Sequence, residues 1–238
     1  MQPFYLSQNW WQLIVVGFAC YFIGCFNFAL LISKLKRRDI TKIGSGNPGT
    51  MNMSREFGWK IGILTFICDA IKGGLPAIIL YYIYRGYVFA GTGFAVADFI
   101  KIFGGICVII GHIFPVFLKF NGGKGIASTL GLMWACLSLE NWVFIPIGFG
   151  VLLFLILFIY LTEWGSLGSL VGTTGMSIMQ ALIFINTYRF FVNAYLVAVF
   201  MMIIGINLLT WLAHAKNLKR LFAGEERHTS VKKLVKKK

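Results

Sequence analysis

Two segments of this chain carry the residue types that grip a phosphate. Residues 44–49 read Gly-Ser-Gly-Asn-Pro-Gly, with Lys42 before them and Arg55 after. Gly44, Gly46 and Gly49 let backbone N–H groups come close to a ligand, and Ser45, Asn47 and Asn52 add side-chain donors. Arg55 has the planar fork that holds a phosphate through two parallel hydrogen bonds. The same glycines satisfy G-x-G-x-x-G, but that pattern signals a dinucleotide only when a strand precedes it in a βαβ unit, and none does here. The second segment, residues 111–125, reads Gly-His-Ile-Phe-Pro-Val-Phe-Leu-Lys-Phe-Asn-Gly-Gly-Lys-Gly. Pro115 breaks a helix, and Gly122, Gly123 and Gly125 leave Lys124 in a bare backbone. It is not a nucleotide P-loop, since no glycine stands five residues before the Gly-Lys pair and no Ser or Thr follows. A helix starting near Gly125 would still turn its positive end toward Lys124. His112 has two open roles, packing between helices or touching a ligand.

Weaker signals accompany these two. Ser166-Leu-Gly-Ser-Leu170 offers the hydroxyls of Ser166 and Ser169, either to a ligand or, the better reading, to cap a helix. In His214-Ala-Lys-Asn-Leu-Lys-Arg220, followed by Gly224-Glu-Glu226, helical spacing puts His214, Asn217 and either Arg220 or Leu221 on one face. That face is either interfacial or part of a site. Asp69 and Lys72, three apart in an apolar run, read as a structural ion pair supporting the first loop.

The elements that position these residues are membrane helices. The chain is 58% hydrophobic and only 13% charged, about half the charged share of a soluble domain. The pattern predicts an all-α polytopic membrane protein with about seven spans, near residues 11–33, 61–84, 90–113, 126–140, 142–161, 167–186 and 190–212. The third is interrupted by Asp98 and Lys101, the fourth and fifth form a tight hairpin at Glu140-Asn141, and Pro146 and the glycines opening the sixth predict kinks or close helix contacts. The first run has no basic residue before it and no small-residue cleavage site after it, so it reads as a retained span. The net charge is +14. Of 22 Lys and Arg, seven lie between Lys34 and Lys60, two in residues 114–125 and nine from Lys216 on, which predicts an external N-terminus and a cytoplasmic C-terminus. All the glycine-rich polar segments then fall on the cytoplasmic face. Such clusters suit anionic lipid headgroups, and no recognition module accompanies them that would point to nucleic acid. The five cysteines lie in apolar runs with no metal-type spacing, so no metal is expected. Residues 1–222 read as one membrane domain and 223–238 as a basic cytoplasmic tail.

Taken together, these segments resemble the bacterial acyl-phosphate-dependent glycerol-3-phosphate acyltransferases, integral membrane enzymes. The likeness spans nearly the whole chain and rests on Gly44–Arg55, Gly111–Ser128 and Ser166–Leu170, with Asp69-Ala-Ile-Lys-Gly73 and His214–Arg220 beside them. It implies seven helices in a bacterial plasma membrane with motifs at the cytoplasmic face. It also implies a reaction without cofactor, acyl phosphate plus glycerol 3-phosphate giving 1-acylglycerol 3-phosphate, the first step of phospholipid synthesis. The family's important serine, arginine, lysine and asparagine fall on Ser45, Arg55, Lys124 and Asn217, with His214 nearby. Thr41, Thr50 and Gly168 depart from the family's usual residues, as does Thr162-Glu163 before the third motif. None of the three histidines has an acid five residues later, so the His-x4-Asp pattern of other glycerol-phosphate acyltransferases is absent. Both substrates carry phosphate, which accounts for two cationic loops, and an acyl phosphate needs no enzyme nucleophile. The proton can go to His214 or to a substrate phosphate oxygen, with the second narrowly preferred. The rival class is a transporter of phosphorylated metabolites, but no internal repeat of the kind such proteins show is present.

Overall fold

The computed structural model describes residues 1–190 and 192–226, so most of the expected basic tail lies outside the described residues. Helices α1 (Leu6–Cys25), α2 (Phe28–Leu35), α3 (Thr50–Phe57), α4 (Trp59–Tyr84), α5 (Val96–Ile113), α6 (Ile126–Glu140), α7 (Phe144–Thr162), α8 (Gly165–Thr187), α9 (Ala194–Ala213) and α10 (Ala215–Phe222) make up most of it. Six stretches are long and apolar enough to cross a membrane: Leu6–Leu35, Trp59–Tyr84, Val96–Leu118, Phe144–Thr162, Gly165–Thr187 and Ala194–Ala213. The expected fourth span, Ile126–Glu140, is a shorter apolar helix of 15 residues, about 22 Å long at 1.5 Å per residue. It packs against α4, α5, α7 and α8.

Helices approach most closely where side chains are smallest. A Cβ added to Gly73 would lie 2.0 Å from the Ser128 carbonyl oxygen, and one on Gly131 would lie 2.0 Å from that of Ala70, so α4 and α6 touch backbone to backbone. Gly24 and Gly111 make the same reciprocal contact between α1 and α5. Such small-residue seams are how helices associate where lipid offers no hydrophobic drive. The glycines opening α8 do likewise, with Gly172 seated on Leu155 of α7. Pro146 falls in the first turn of α7, where a missing N–H leaves no bond unmade.

The first span departs from expectation. Instead of one helix over residues 11–33, the chain breaks at Phe26, and Asn27 caps α2 by accepting from the Leu30 N–H. The carbonyls freed at the break are met by Lys72, which donates to Gly24 O (3.3 Å) and Phe26 O (2.7 Å) and pairs with Asp69 at 3.1 Å. Both side chains of the pair are almost wholly buried.

The third helix begins at Val96 rather than near residue 90. The preceding residues form β2 (Tyr87–Phe89), which pairs in parallel with β1 (Gln2–Phe4) and closes that end of the bundle with stacked aromatic rings, Phe89 on Tyr195 among them. Asp98 and Lys101 do not interrupt α5. Lys101 is buried between Asp98 (2.7 Å) and Glu140 (2.6 Å), and Tyr188 donates to Asp98, so one cation ties α5, α6 and the end of α8. The tight α6–α7 hairpin is present, with its last helical residue, Glu140, serving as part of this tie.

Breaking a buried pair by deleting one partner costs roughly 3–5 kcal/mol because the other charge stays unpaired. Lys72→Met is therefore expected to lower the unfolding temperature of the purified protein in detergent markedly, and the double change Asp69→Asn with Lys72→Met to recover part of the loss. Circular dichroism melting checks both.

Candidate active site

At the end of the bundle opposite the β1–β2 pair, a cavity of about 1890 Å³ is lined by α3, α4, α6, α7, α8 and α10 and by the two glycine-rich loops. It exceeds the usual range for a drug-sized ligand, roughly 300–1,000 Å³, and suits a longer molecule. Of the residues singled out from the sequence, Ser45, Gly46, Asn47, Gly49, Asn52, Arg55, His112, Gly122, Gly123, Lys124, Gly125, Ser166, Ser169, His214 and Asn217 all line it. Gly44 does not.

The first loop winds around one amide. Asn52 is 1% exposed; its Oδ1 accepts from the Ser45 N–H (3.0 Å), and its Nδ2 donates to Ile40 O (3.3 Å) and Ile43 O (3.1 Å). Gly44 has φ +61°, and a Cβ there would lie 2.2 Å from Asn52 Oδ1, so only glycine fits the turn. Three further loop amides are engaged: Gly46 N–H with Ile43 O, Asn47 N–H with the Ser45 hydroxyl and Gly49 N–H with Asn47 O. Asn27 anchors the loop from below, donating to Pro48 O at 3.3 Å. Part of the expected amide cradle is thus engaged within the loop, and these bonds hold the loop's own shape.

The second loop follows the same rule. Gly122 N–H donates to Ile113 O (3.0 Å) and Gly123 N–H to His112 O (3.1 Å), so the chain folds back on the end of α5. A Cβ on Gly123 would lie 2.2 Å from His112 Nε2, which makes the buried imidazole the floor beneath Lys124. His112 Nδ1 stands 3.9 Å from Asp69 Oδ1, above the Lys72 pair. Gly125, at φ +78°, turns the chain into α6. First-turn residues of α3 (Thr50, Met51), α6 (Ile126, Ala127), α8 (Gly165, Ser166) and α10 (Lys216, Asn217) all line the cavity. Four helix N-termini, each with unsatisfied N–H groups and a partial positive charge, meet at one place.

Side chains complete it. Lys124 donates to Asn217 Oδ1; Asn217 Nδ2 donates to the Ser166 hydroxyl (2.8 Å) and to Glu226 Oε1 (2.8 Å); the Ser166 hydroxyl donates to Glu226 Oε1 (2.7 Å). Arg220 Nε pairs with Glu226 Oε2 at 3.2 Å. Ser169 instead donates within its own helix, to Gly165 O; the capping role expected for this segment is not taken, since α8 starts after Trp164 with no side-chain cap. His214 joins α9 to α10, and its Nδ1 lies 2.8 Å from Thr210 O. A carbonyl can only accept, so Nδ1 carries the proton and Nε2 is left as an acceptor.

Burial, reinforced by the Arg220 and Arg55 charges and opposed by Glu226, brings the Lys124 ammonium down to about 8. Burial and the neighbouring Lys124 bring His214 down to about 4, so its ring is neutral at pH 7. Glu226 is partly desolvated, but bonds from Ser166 and Asn217 and the Arg220 charge outweigh this and hold it below the usual carboxylate range. Glu226 is the residue that sequence reasoning missed. Helical spacing put Arg220 on the His214 and Asn217 face, but the reversal at Gly224 (φ +72°) that returns Glu226 to the cavity leaves no periodic trace. Among the described residues, no cluster of three metal-binding side chains occurs.

Residues 14–224 match the family model described as glycerol-3-phosphate acyltransferase. A glycerol-3-phosphate acyltransferase of Pseudothermotoga lettingae is 32% identical over 225 residues, covering 94% of this chain and 98% of the relative. The crystal structure of PlsY (YgiH), an integral membrane glycerol 3-phosphate acyltransferase, in its glycerol 3-phosphate form, superposes with a TM-score of 0.73 at 27% identity, covering 95% of this chain and all of that one. Its lysophosphatidic acid form superposes at 0.69 with 28% identity, covering 91% and 95%. The chain belongs to the glycerol-3-phosphate acyltransferase family.

Proposed function

We propose that this protein moves a fatty acyl group from acyl phosphate to the sn-1 hydroxyl of glycerol 3-phosphate. The observation that carries the reading is a single cavity whose one end is cationic and polar, with Lys124, Arg55, Arg220 and four helix N-termini, and whose remainder runs between apolar faces of α4, α6 and α7. An amphipathic donor and a small phosphorylated acceptor match those two halves. The glycerol hydroxyl oxygen attacks the acyl carbonyl carbon, the carbon–oxygen bond to phosphate breaks, and inorganic phosphate leaves. Lys124, held by Asn217, together with Arg55, stabilises the negative charge on that departing group. Gly46, Gly49 and Asn47 shape the wall beside it, and Ser45 donates its hydroxyl to a substrate phosphate.

The hydroxyl proton goes to a substrate phosphate oxygen. A phosphate monoester has its second pKa near about 6, whereas His214 at about 4 is a weaker base. His214 Nε2 serves as a hydrogen-bond acceptor for glycerol. The loops and cavity face the cytoplasm of a bacterial plasma membrane, crossed seven times with the N-terminus outside. The buried Lys101 tie and the aromatic closure at the far end favour an enzyme open at one face over a transporter.

The direct test is incubation of the purified protein with acyl phosphate and labelled glycerol 3-phosphate, scoring lysophosphatidate; uptake into proteoliposomes without product would sink the reading. Loss of one preorganised donor costs roughly 10²–10³-fold in kcat, and Lys124→Ala should fall in that range. His214→Ala should retain more activity than the roughly 10²-fold loss expected on removing a general base. The Lys124 ammonium is charged below about 8 and neutral above it, so kcat/KM is expected to fall as pH rises through that value. In Lys124→Arg, which stays protonated, that alkaline limb should vanish from the pH profile.

A further inference from the structure

We infer that Trp134 sets the length of the acyl chain the enzyme accepts; the inference rests on the reaction proposed above. The groove leads away from Lys124 over a floor of small residues, Ala70 and Gly74 of α4 and Ala127 and Gly131 of α6. Nine residues beyond Gly125, about 13 Å along α6 at 1.5 Å per residue, this smooth floor meets the indole of Trp134. The ring is braced by one face of α7. Its Nε1 donates to Ile145 O at 3.2 Å, and it stands edge-on to Phe149 with centroids 4.7 Å apart. Between them lies Gly148, where a Cβ would sit only 2.1 Å from Nε1, so α7 carries no side chain there and the indole fills the space. Ser138, one turn further along α6, and Tyr82 near the end of α4 line the same cavity. A bulky ring held against α7 between these ends divides one apolar groove into a near and a far compartment.

The occupant is the acyl tail of the donor. The groove is continuous with the cation cluster, so the tail of a donor whose phosphate is held by Lys124 has an apolar path toward Trp134. A tail ending short of the indole fits without strain, and a longer one must skirt it. Each methylene placed or misplaced in such a pocket changes discrimination by about ten-fold or more.

Two substitutions act on the ring in opposite directions. Trp134→Ala joins the compartments, and Gly148→Ala pushes the indole off α7 into the groove. The test measures kcat/KM of the full-length protein in lipid nanodiscs with saturated acyl phosphates from decanoyl to stearoyl. Trp134→Ala is expected to raise the long-over-short ratio about ten-fold or more, and Gly148→Ala to lower it. Trp134→Phe, which keeps a ring in place, should shift the ratio less but in the direction of alanine, and it carries the test if the alanine variant does not fold. Active variants with the wild-type chain-length order overturn the role of Trp134 while leaving the reaction standing. A wild-type protein that forms no lysophosphatidate from any member of the series overturns both.

Discussion

A single ammonium group sets the geometry on which the site depends. Lys72 lies deep in an apolar bundle, where a charge survives only with every proton satisfied. Asp69, one turn away, pairs with it at 3.1 Å; the Gly24 and Phe26 carbonyls accept its hydrogen bonds, and those are available because the first span breaks. The break creates the cap at Asn27, and Asn27 holds Pro48 of the first loop. On its other side Asp69 faces His112, which lies under Gly123 of the second loop. Both loops are thus referenced to one buried pair in α4, from two directions.

The loops themselves act as frames. Their glycines turn the chain tightly on Asn52 and on the end of α5, and the amides of Ser45, Gly46, Gly49, Gly122 and Gly123 are bonded in doing so. The positive character of the cavity comes instead from helix termini and from the long side chains of Lys124, Arg55 and Arg220. This division has a physical logic. A loop whose amides are internally bonded keeps its shape without a ligand, so the charged groups around it need little reorganisation when substrate arrives.

Composition and charge made much of this legible. Residues 44–49 and 122–125 stand out because small residues beside cations are rare between long apolar runs, and the Lys and Arg asymmetry placed every polar segment at one end of the bundle. Helical spacing joined His214 to Asn217 and Arg220. What stayed hidden is tertiary. At the break near Phe26 only the N-cap-type Asn27 marks the sequence, and the lysine that meets the freed carbonyls comes 46 residues further on. Asp98 and Lys101 read as an interruption because their partner, Glu140, comes from another helix. The parallel pairing of β1 with β2 joins residues more than eighty apart, and three-residue strands carry no usable period. Glu226 returned to the site through a turn that only coordinates reveal.

The break in the first span also bears on how the chain enters the membrane. A lysine at the middle of a lone helix costs roughly 2.5–3.5 kcal/mol to insert, and Asp69 adds a similar amount. The carbonyls that offset Lys72 belong to an earlier segment of the polypeptide. Synthesis runs from the N-terminus, so α1 and α2 are already in place when α4 reaches the bilayer. The order of residues along the chain therefore doubles as an order of assembly, with the acceptors delivered before the charge that requires them.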